Sequence, residues 1–189
     1  MQIASKIGSP SEQRTPCIIA VVHHKKVLSE AAQVLDKNTN GLISSLVKRG
    51  DLPDEIGETL LINNCPGVAA SRLLLINGGS SKGATESEFR KIVAGAAKGL
   101  KSLDIKTAID TIHRTHVTDR NGLLWKIKTI AQEVSAIAYQ FDEFKTSKRK
   151  NQGFNKLTFL VNDTSEGKKM SAACKETSGL IQGIDLAKN

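Results

Sequence analysis

Cys17-Ile18-Ile19-Ala20-Val21-Val22 is the stretch on which the fold turns. It is a short continuous apolar run, rich in β-branched residues and preceded by the chain breakers Gly8-Ser9-Pro10 and Pro16. Such a run reads as a buried strand. Four further segments carry the same signature: Thr59–Ile62, Arg72–Ile76, Thr107–Ile112 and Leu157–Val161. Helical patterns separate them, and strands that alternate with helices imply a mixed or parallel sheet covered on both faces.

The helices announce themselves by spacing. Leu123, Ile127, Ile130, Val134, Ile137 and Phe141 step by four and three along the sequence, predicting one apolar stripe on a long helix that starts near Asp119. Phe89, Ile92, Val93, Ala96, Leu100 and Leu103 repeat the pattern, and Thr85 with Glu88 has the spacing of a capping box at its start. Gly95 and Gly99, four apart, permit close approach to a neighbouring element at a cost in helix propensity. A shorter helical pair is expected over Ser29–Leu35 and Gly41–Lys48. Met170, Cys174, Thr177, Ile181 and Ile184 carry a last stripe almost to Asn189 with only a weak stop, so the final helix reads as cut.

A chain of 189 residues suits a single core, and 39% hydrophobic with 24% charged residues is globular usage. No apolar run approaches the roughly 18–20 residues that cross a bilayer, and Met1–Lys6 lacks the layout of a signal peptide. A cytoplasmic, soluble protein without a membrane partner is the expectation. Cys17, Cys65 and Cys174 are odd in number and set among apolar or small residues, which predicts free, buried thiols. The formal charge of +8 favours polyanionic partners in general. With one Trp, one Tyr and five Phe, a stacking platform for single-stranded nucleic acid is hard to assemble.

Candidate chemistry is sparse. Gly78-Gly79-Ser80-Ser81-Lys82-Gly83 joins a strand to a helix, where amides and the helix dipole can hold a phosphate. It matches neither the P-loop nor the dinucleotide fingerprint, so a strand-to-helix turn is the favoured reading. His113 and His116, near Asp110 and Asp119, are metal-ligand types, but a strand running into a loop does not bring them together. His23-His24 point to opposite sides if they end a strand. Burial shields the cysteines as nucleophiles, no Gly-x-Ser-x-Gly elbow is present, and the adjacent Asp142 and Glu143 have no opposing carboxylate. Lys145, Lys148, Arg149 and Lys150 form the densest basic cluster, a loop that could contact DNA phosphates without sequence preference.

In order along the chain, Gly8-Ser9-Pro10 with Gln13-Arg14, Leu35-Asp36-Lys37, Gly57-Glu58-Thr59-Leu60-Leu61, Phe141-Asp142 with Lys145-Thr146, and Gly183 through Ala187-Lys188 are landmarks. Together they make the chain resemble the amino-terminal domain of the leucyl (cytosol) aminopeptidase family, its bacterial members above all. The resemblance implies a three-layer α/β/α, macro-domain-like fold with a mixed sheet and Met1–Lys6 as an additional strand. It implies an amino-terminal domain over residues 1–165, and over 166–189 a helix linking to a carboxy-terminal catalytic domain. Two divalent metal ions, manganese or zinc, with their ligands belong to that catalytic domain, so no catalytic, cofactor or metal residue carries over to this chain. An inactive assembly domain of a homo-hexameric, peptide-cleaving enzyme is the implied function, with DNA a further partner. The competing expectation is a free-standing macro-like module whose Gly78–Gly83 loop holds a phosphate of a nucleotide such as ADP-ribose.

Overall fold

The run that begins at Cys17 forms the middle of the sheet in the computed structural model, which describes residues 1–118, 122–138 and 154–187. The strands are β1 (Gln2–Ile7), β2 (Ile18–His23), β3 (Val27–Leu28), β4 (Thr59–Asn63), β5 (Arg72–Asn77), β6 (Thr107–Asp110) and β7 (Lys156–Val161). The helices are α1 (Glu30–Asn38), α2 (Leu42–Arg49), α3 (Glu86–Lys101), α4 (Leu123–Ala138) and α5 (Thr164–Ala187). The sheet runs in the order β1-β7-β6-β2-β5-β4, with β3 attached to β2. Pairings are parallel except β2 with β3 and β4 with β5, which makes the sheet mixed.

Alternation along β2 divides the core. Cys17, Ile19 and Val21 face one apolar layer with Phe89 and Ile92 of α3, Ile127 and Ile130 of α4, and Met170 and Cys174 of α5. Ile18, Ala20 and Val22 face the other, with Ala32 and Leu35 of α1 and Ile43 and Val47 of α2. A strand with two apolar faces needs helices on both, and α/β/α layering supplies them.

Local chemistry sets the element ends. The Thr85 hydroxyl accepts the Glu88 amide at 3.3 Å while the Glu88 carboxylate accepts the Thr85 amide at 2.7 Å, a complete capping box on α3. Asp36 at the end of α1 accepts the amide and the hydroxyl of Ser44, tying α1 to α2. Gly95 meets Gly57 so closely that a Cβ on Gly95 would stand 1.9 Å from the Gly57 carbonyl oxygen. The glycine therefore lets α3 sit against the loop that enters β4.

Three expectations shift. β6 stops at Asp110 and not at Ile112, because the Asp110 carboxylate accepts the amides of Ile112 and His113 and turns the chain into a 3-10 turn over Ile112–Arg114. α3 ends at Lys101, with the Ser102 hydroxyl donating to the Gly99 carbonyl, so Leu103 lies beyond the helix. α4 begins at Leu123, directly after Gly122; Asp119 and Phe141 lie outside the described residues. α5 packs on the sheet through Met170, Ala173 and Cys174, all in the core, while Leu180 further along is exposed.

Candidate functional site

The sheet forks between β2 and β6. The two strands pair at Ile18 and Ile109, and the Ile109 amide reaches the Cys17 carbonyl at 2.9 Å. Beyond that point the Thr111 hydroxyl, and not a backbone amide, donates to the Ile19 carbonyl at 2.8 Å. The gap is filled by the chain doubling back from β2: Lys25 and Lys26 take left-handed backbone conformations, β3 pairs with Val22 and His23, and the Ser29 amide donates to the Val21 carbonyl. Ser29 then caps α1, its hydroxyl accepting the Ala32 amide at 3.3 Å. Parting strands at the carboxyl end of a parallel sheet leave a crevice, the usual place for a ligand in such folds.

A cavity of about 210 Å³ lies in this fork, bordered by Ser29, Glu30 and Ala31 at the start of α1, Ser81 and Gly83 of the glycine-rich loop, and Arg114 and Thr115 after β6. Arg114 is held by two hydrogen bonds from Nε and Nη2 to the Leu160 carbonyl, and its Nη1 stands 3.6 Å from the Glu30 carboxylate. The Thr115 hydroxyl is buried without a hydrogen-bond partner among the described residues. His23 also borders the cavity, and burial pushes its imidazole below the ordinary value.

The residues singled out in the sequence distribute unevenly around it. The Gly78–Gly83 loop follows β5 and precedes α3, but it spends most of its amides internally: Gly78 on the Val22 carbonyl, Gly79 on the Asn77 side chain, Lys82 on the Ser80 hydroxyl and Gly83 on the Ser80 carbonyl. His113 is buried, with Nδ1 donating to Asp110 Oδ2 at 2.9 Å and its ring edge-on to Phe159, while His116 is exposed. Asp110 is spent on this structural knot. Among the described residues no group of three or more His, Cys, Asp or Glu is placed to hold a metal ion. Cys17, Cys65 and Cys174 are buried and free, and burial raises their thiols, Cys17 to about 12 and Cys174 to about 11. Asp119, Asp142, Glu143 and the basic cluster of Lys145, Lys148, Arg149 and Lys150 lie outside the described residues. Arg114 and Thr115 carried no signal in the sequence, because only the fork in the sheet brings them to the start of α1.

The α/β/α sandwich with its mixed sheet is similar to the fold of macrodomains. A Trypanosoma brucei macrodomain solved in complex with ADP superposes with a TM-score of 0.64 at 13% identity, covering 91% of this chain and 68% of that one. A mutant of tomato leucine aminopeptidase gives a TM-score of 0.69 at 18% identity over 98% of this chain and 37% of that one.

Sequence narrows the class to one family. Residues 18–148 match the cytosol aminopeptidase family, N-terminal domain, and the chain belongs to that family. The probable cytosol aminopeptidase of Halorhodospira halophila is 35% identical over 149 residues, covering 79% of this chain and 30% of the relative. That of Psychromonas ingrahamii is 30% identical over 190 residues, covering 100% of this chain and 38% of the relative. The chain thus spans about a third of the length of the curated relatives it matches.

Proposed function

We propose that the chain is the non-catalytic, assembly-forming domain of a metal-dependent leucyl aminopeptidase that removes amino-terminal residues from peptides. The observation that carries this reading is the match to the family's N-terminal domain over residues 18–148. The chemistry then belongs to a carboxy-terminal domain, where two divalent ions, manganese or zinc, would activate water for attack on the peptide carbonyl. In this reading no step of the reaction runs through this domain. Residues 1–165 form the domain proper in this reading, and 166–189 lead toward the catalytic domain. Its partners are that catalytic domain and five further copies in a hexamer. Its compartment is the cytoplasm, in keeping with three unpaired, buried cysteines and with no described helix long and apolar enough to cross a membrane.

The decisive assay is hydrolysis of leucine p-nitroanilide with added manganese. The isolated chain gives no turnover, whereas a protein joining it to the family's peptidase domain does. Metal-dependent turnover by the isolated chain overturns the reading. DNA contact through Lys145, Lys148, Arg149 and Lys150 belongs to the same proposal: retention on DNA should fall steeply with salt and with neutralisation of those four side chains. Retention that ignores the substitutions removes the loop from the DNA path. The competing nucleotide-module reading has less support, because among the described residues no Phe, Tyr or Trp borders the cavity as a surface on which a base could stack.

A further inference from the structure

We propose that Asn40 is a site of spontaneous covalent modification, at which water converts the side-chain amide to aspartate or isoaspartate and so loosens the tie between α1 and α2. This inference is independent of the peptidase reading.

The chemistry needs an asparagine followed by a residue without side-chain bulk, and Asn40 is followed by Gly41. The Gly41 backbone nitrogen attacks Asn40 Cγ, the Cγ–Nδ2 bond breaks, and the proton of the attacking nitrogen departs with the amine as ammonia. Water then opens the resulting cyclic imide at one carbonyl or the other, giving aspartate or isoaspartate. Glycine at the second position removes the Cβ that would crowd the attack.

Asn77-Gly78 is the same dipeptide, and the fold treats the two oppositely. Asn121-Gly122 is a third, with Asn121 outside the described residues. Asn40 is exposed in the turn between α1 and α2, has φ of +54°, and its side chain makes no hydrogen bond among the described residues. Its Cγ is therefore free to swing onto the following nitrogen. One restraint remains: the Gly41 amide donates to the Asp36 carbonyl at 2.9 Å, where α1 ends and helices fray. Asn77, at the end of β5, is 4% exposed. Its Nδ2 donates to the Pro53 carbonyl at 2.9 Å, and its Oδ1 accepts the Gly79 amide at 2.9 Å. The Gly78 amide donates to the Val22 carbonyl at 2.8 Å, so both reacting groups are clamped. Two hydrogen bonds more than at Asn40, each worth about fivefold in an opening equilibrium, slow Asn77 about 25-fold before burial is counted.

The position makes the change consequential. Gly41 caps the start of α2, and the Asp36 carboxylate, on the far side of the turn, accepts the Ser44 amide at 2.9 Å and the Ser44 hydroxyl at 2.5 Å. Isoaspartate lengthens the backbone between these anchors by one methylene carbon. Either product also adds a carboxylate to a turn that Asp36 already makes anionic, and like charges brought close disfavour the arrangement. The hold of Asp36 on Ser44 then weakens.

The test incubates the full chain at pH 8 and follows each asparagine by peptide mass spectrometry, with enzymatic methylation of isoaspartate as a second readout. Asn40 should convert at least about 25-fold faster than Asn77 in the folded chain. In concentrated urea the two should convert at similar rates, because the fold no longer distinguishes the dipeptides. Asn40→Gln should remove the fast product and its methylation signal. In the isoaspartate fraction of the parent chain, hydrogen exchange at the Ser44 amide should be severalfold faster than in the unmodified fraction. Asn77 converting as fast as Asn40 in the folded chain, or a difference that survives in urea, overturns the proposed site. Equal exchange at Ser44 in the two fractions overturns its effect on α2.

Discussion

Replacing Gly95 by alanine sets two effects of known sign against each other. In the middle of α3, Gly→Ala gains about 1 kcal/mol of helix propensity. The new methyl would stand 1.9 Å from the Gly57 carbonyl oxygen, so α3 or the loop must yield by about 1.5 Å to restore an ordinary 3.4 Å contact. The loop resists: Gly57 has φ of +91°, and its amide is bonded to the Asn77 carbonyl at 2.9 Å. Overpacking of this kind costs about 1–3 kcal/mol, and collision with backbone belongs at the upper end. The net expectation for Gly95→Ala is a loss of about 2 kcal/mol. Gly179 is the internal control. It lies in α5, exposed, with nothing within 4 Å of the point a Cβ would occupy, so Gly179→Ala should gain about 1 kcal/mol. Urea unfolding followed by fluorescence reads both, because Trp125, the sole tryptophan, packs on Phe89 and beneath Arg90 across the α3–α4 contact. A Gly95→Ala midpoint at or above that of the parent chain refutes the argument.

Glu88 links stability to pH. The Thr85 amide and hydroxyl hold its carboxyl below the ordinary 4.5, so the cap stabilises fully above that value and is lost as pH falls through the depressed one. Glu88→Ala should cost about 0.5–1 kcal/mol at pH 7 and progressively less as pH falls below 4.5, as measured by urea unfolding across that range. Asp110→Ala strips partners from the Ile112 and His113 amides and from the His113 ring; a loss of about 3 kcal/mol should lower the thermal midpoint by roughly 6–12 °C in circular dichroism. With thiols raised and buried, the native chain should resist iodoacetamide at pH 8 and take three labels once unfolded; rapid labelling of the folded chain would contradict the placement of Cys17 and Cys174.

Periodicity carried most of the fold. The stripe of α3, its capping box and the close approach through Gly95 are visible in the sequence, because each depends on residues within a turn or two of one another. Strands β2, β5 and β7 are equally visible as apolar runs, since a strand with buried residues on both faces needs no partner to declare itself; β4, half-buried at the sheet edge, shows through its Leu60-Leu61-Ile62 run. β3 is different. Two residues long, it exists only because Lys25 and Lys26 turn the chain back into the fork. β6 ends early through a carboxylate that looks, in sequence, like a candidate metal ligand. The cavity was illegible for the same reason: Ser29, Arg114 and Thr115 are up to 86 residues apart, and no local pattern connects the helix cap to the turn after β6. Gly78–Gly83, the loop that stood out, contributes only Ser81 and Gly83 to the cavity border.

Among the described strands the first has one neighbour, and that neighbour is the last. β1 pairs in parallel with β7, from Gln2 on Lys156 to Ile7 on Val161. The beginning of the chain therefore has nowhere to dock until the other end of the domain has been made. At about 5–20 residues per second, the ribosome would leave the opening segment waiting on the order of 8–30 s for its partner. During that interval the strands from β2 to β6 can assemble around the Cys17–Val22 run. β1 is then the piece that seals the sheet, although it is made well before its partner.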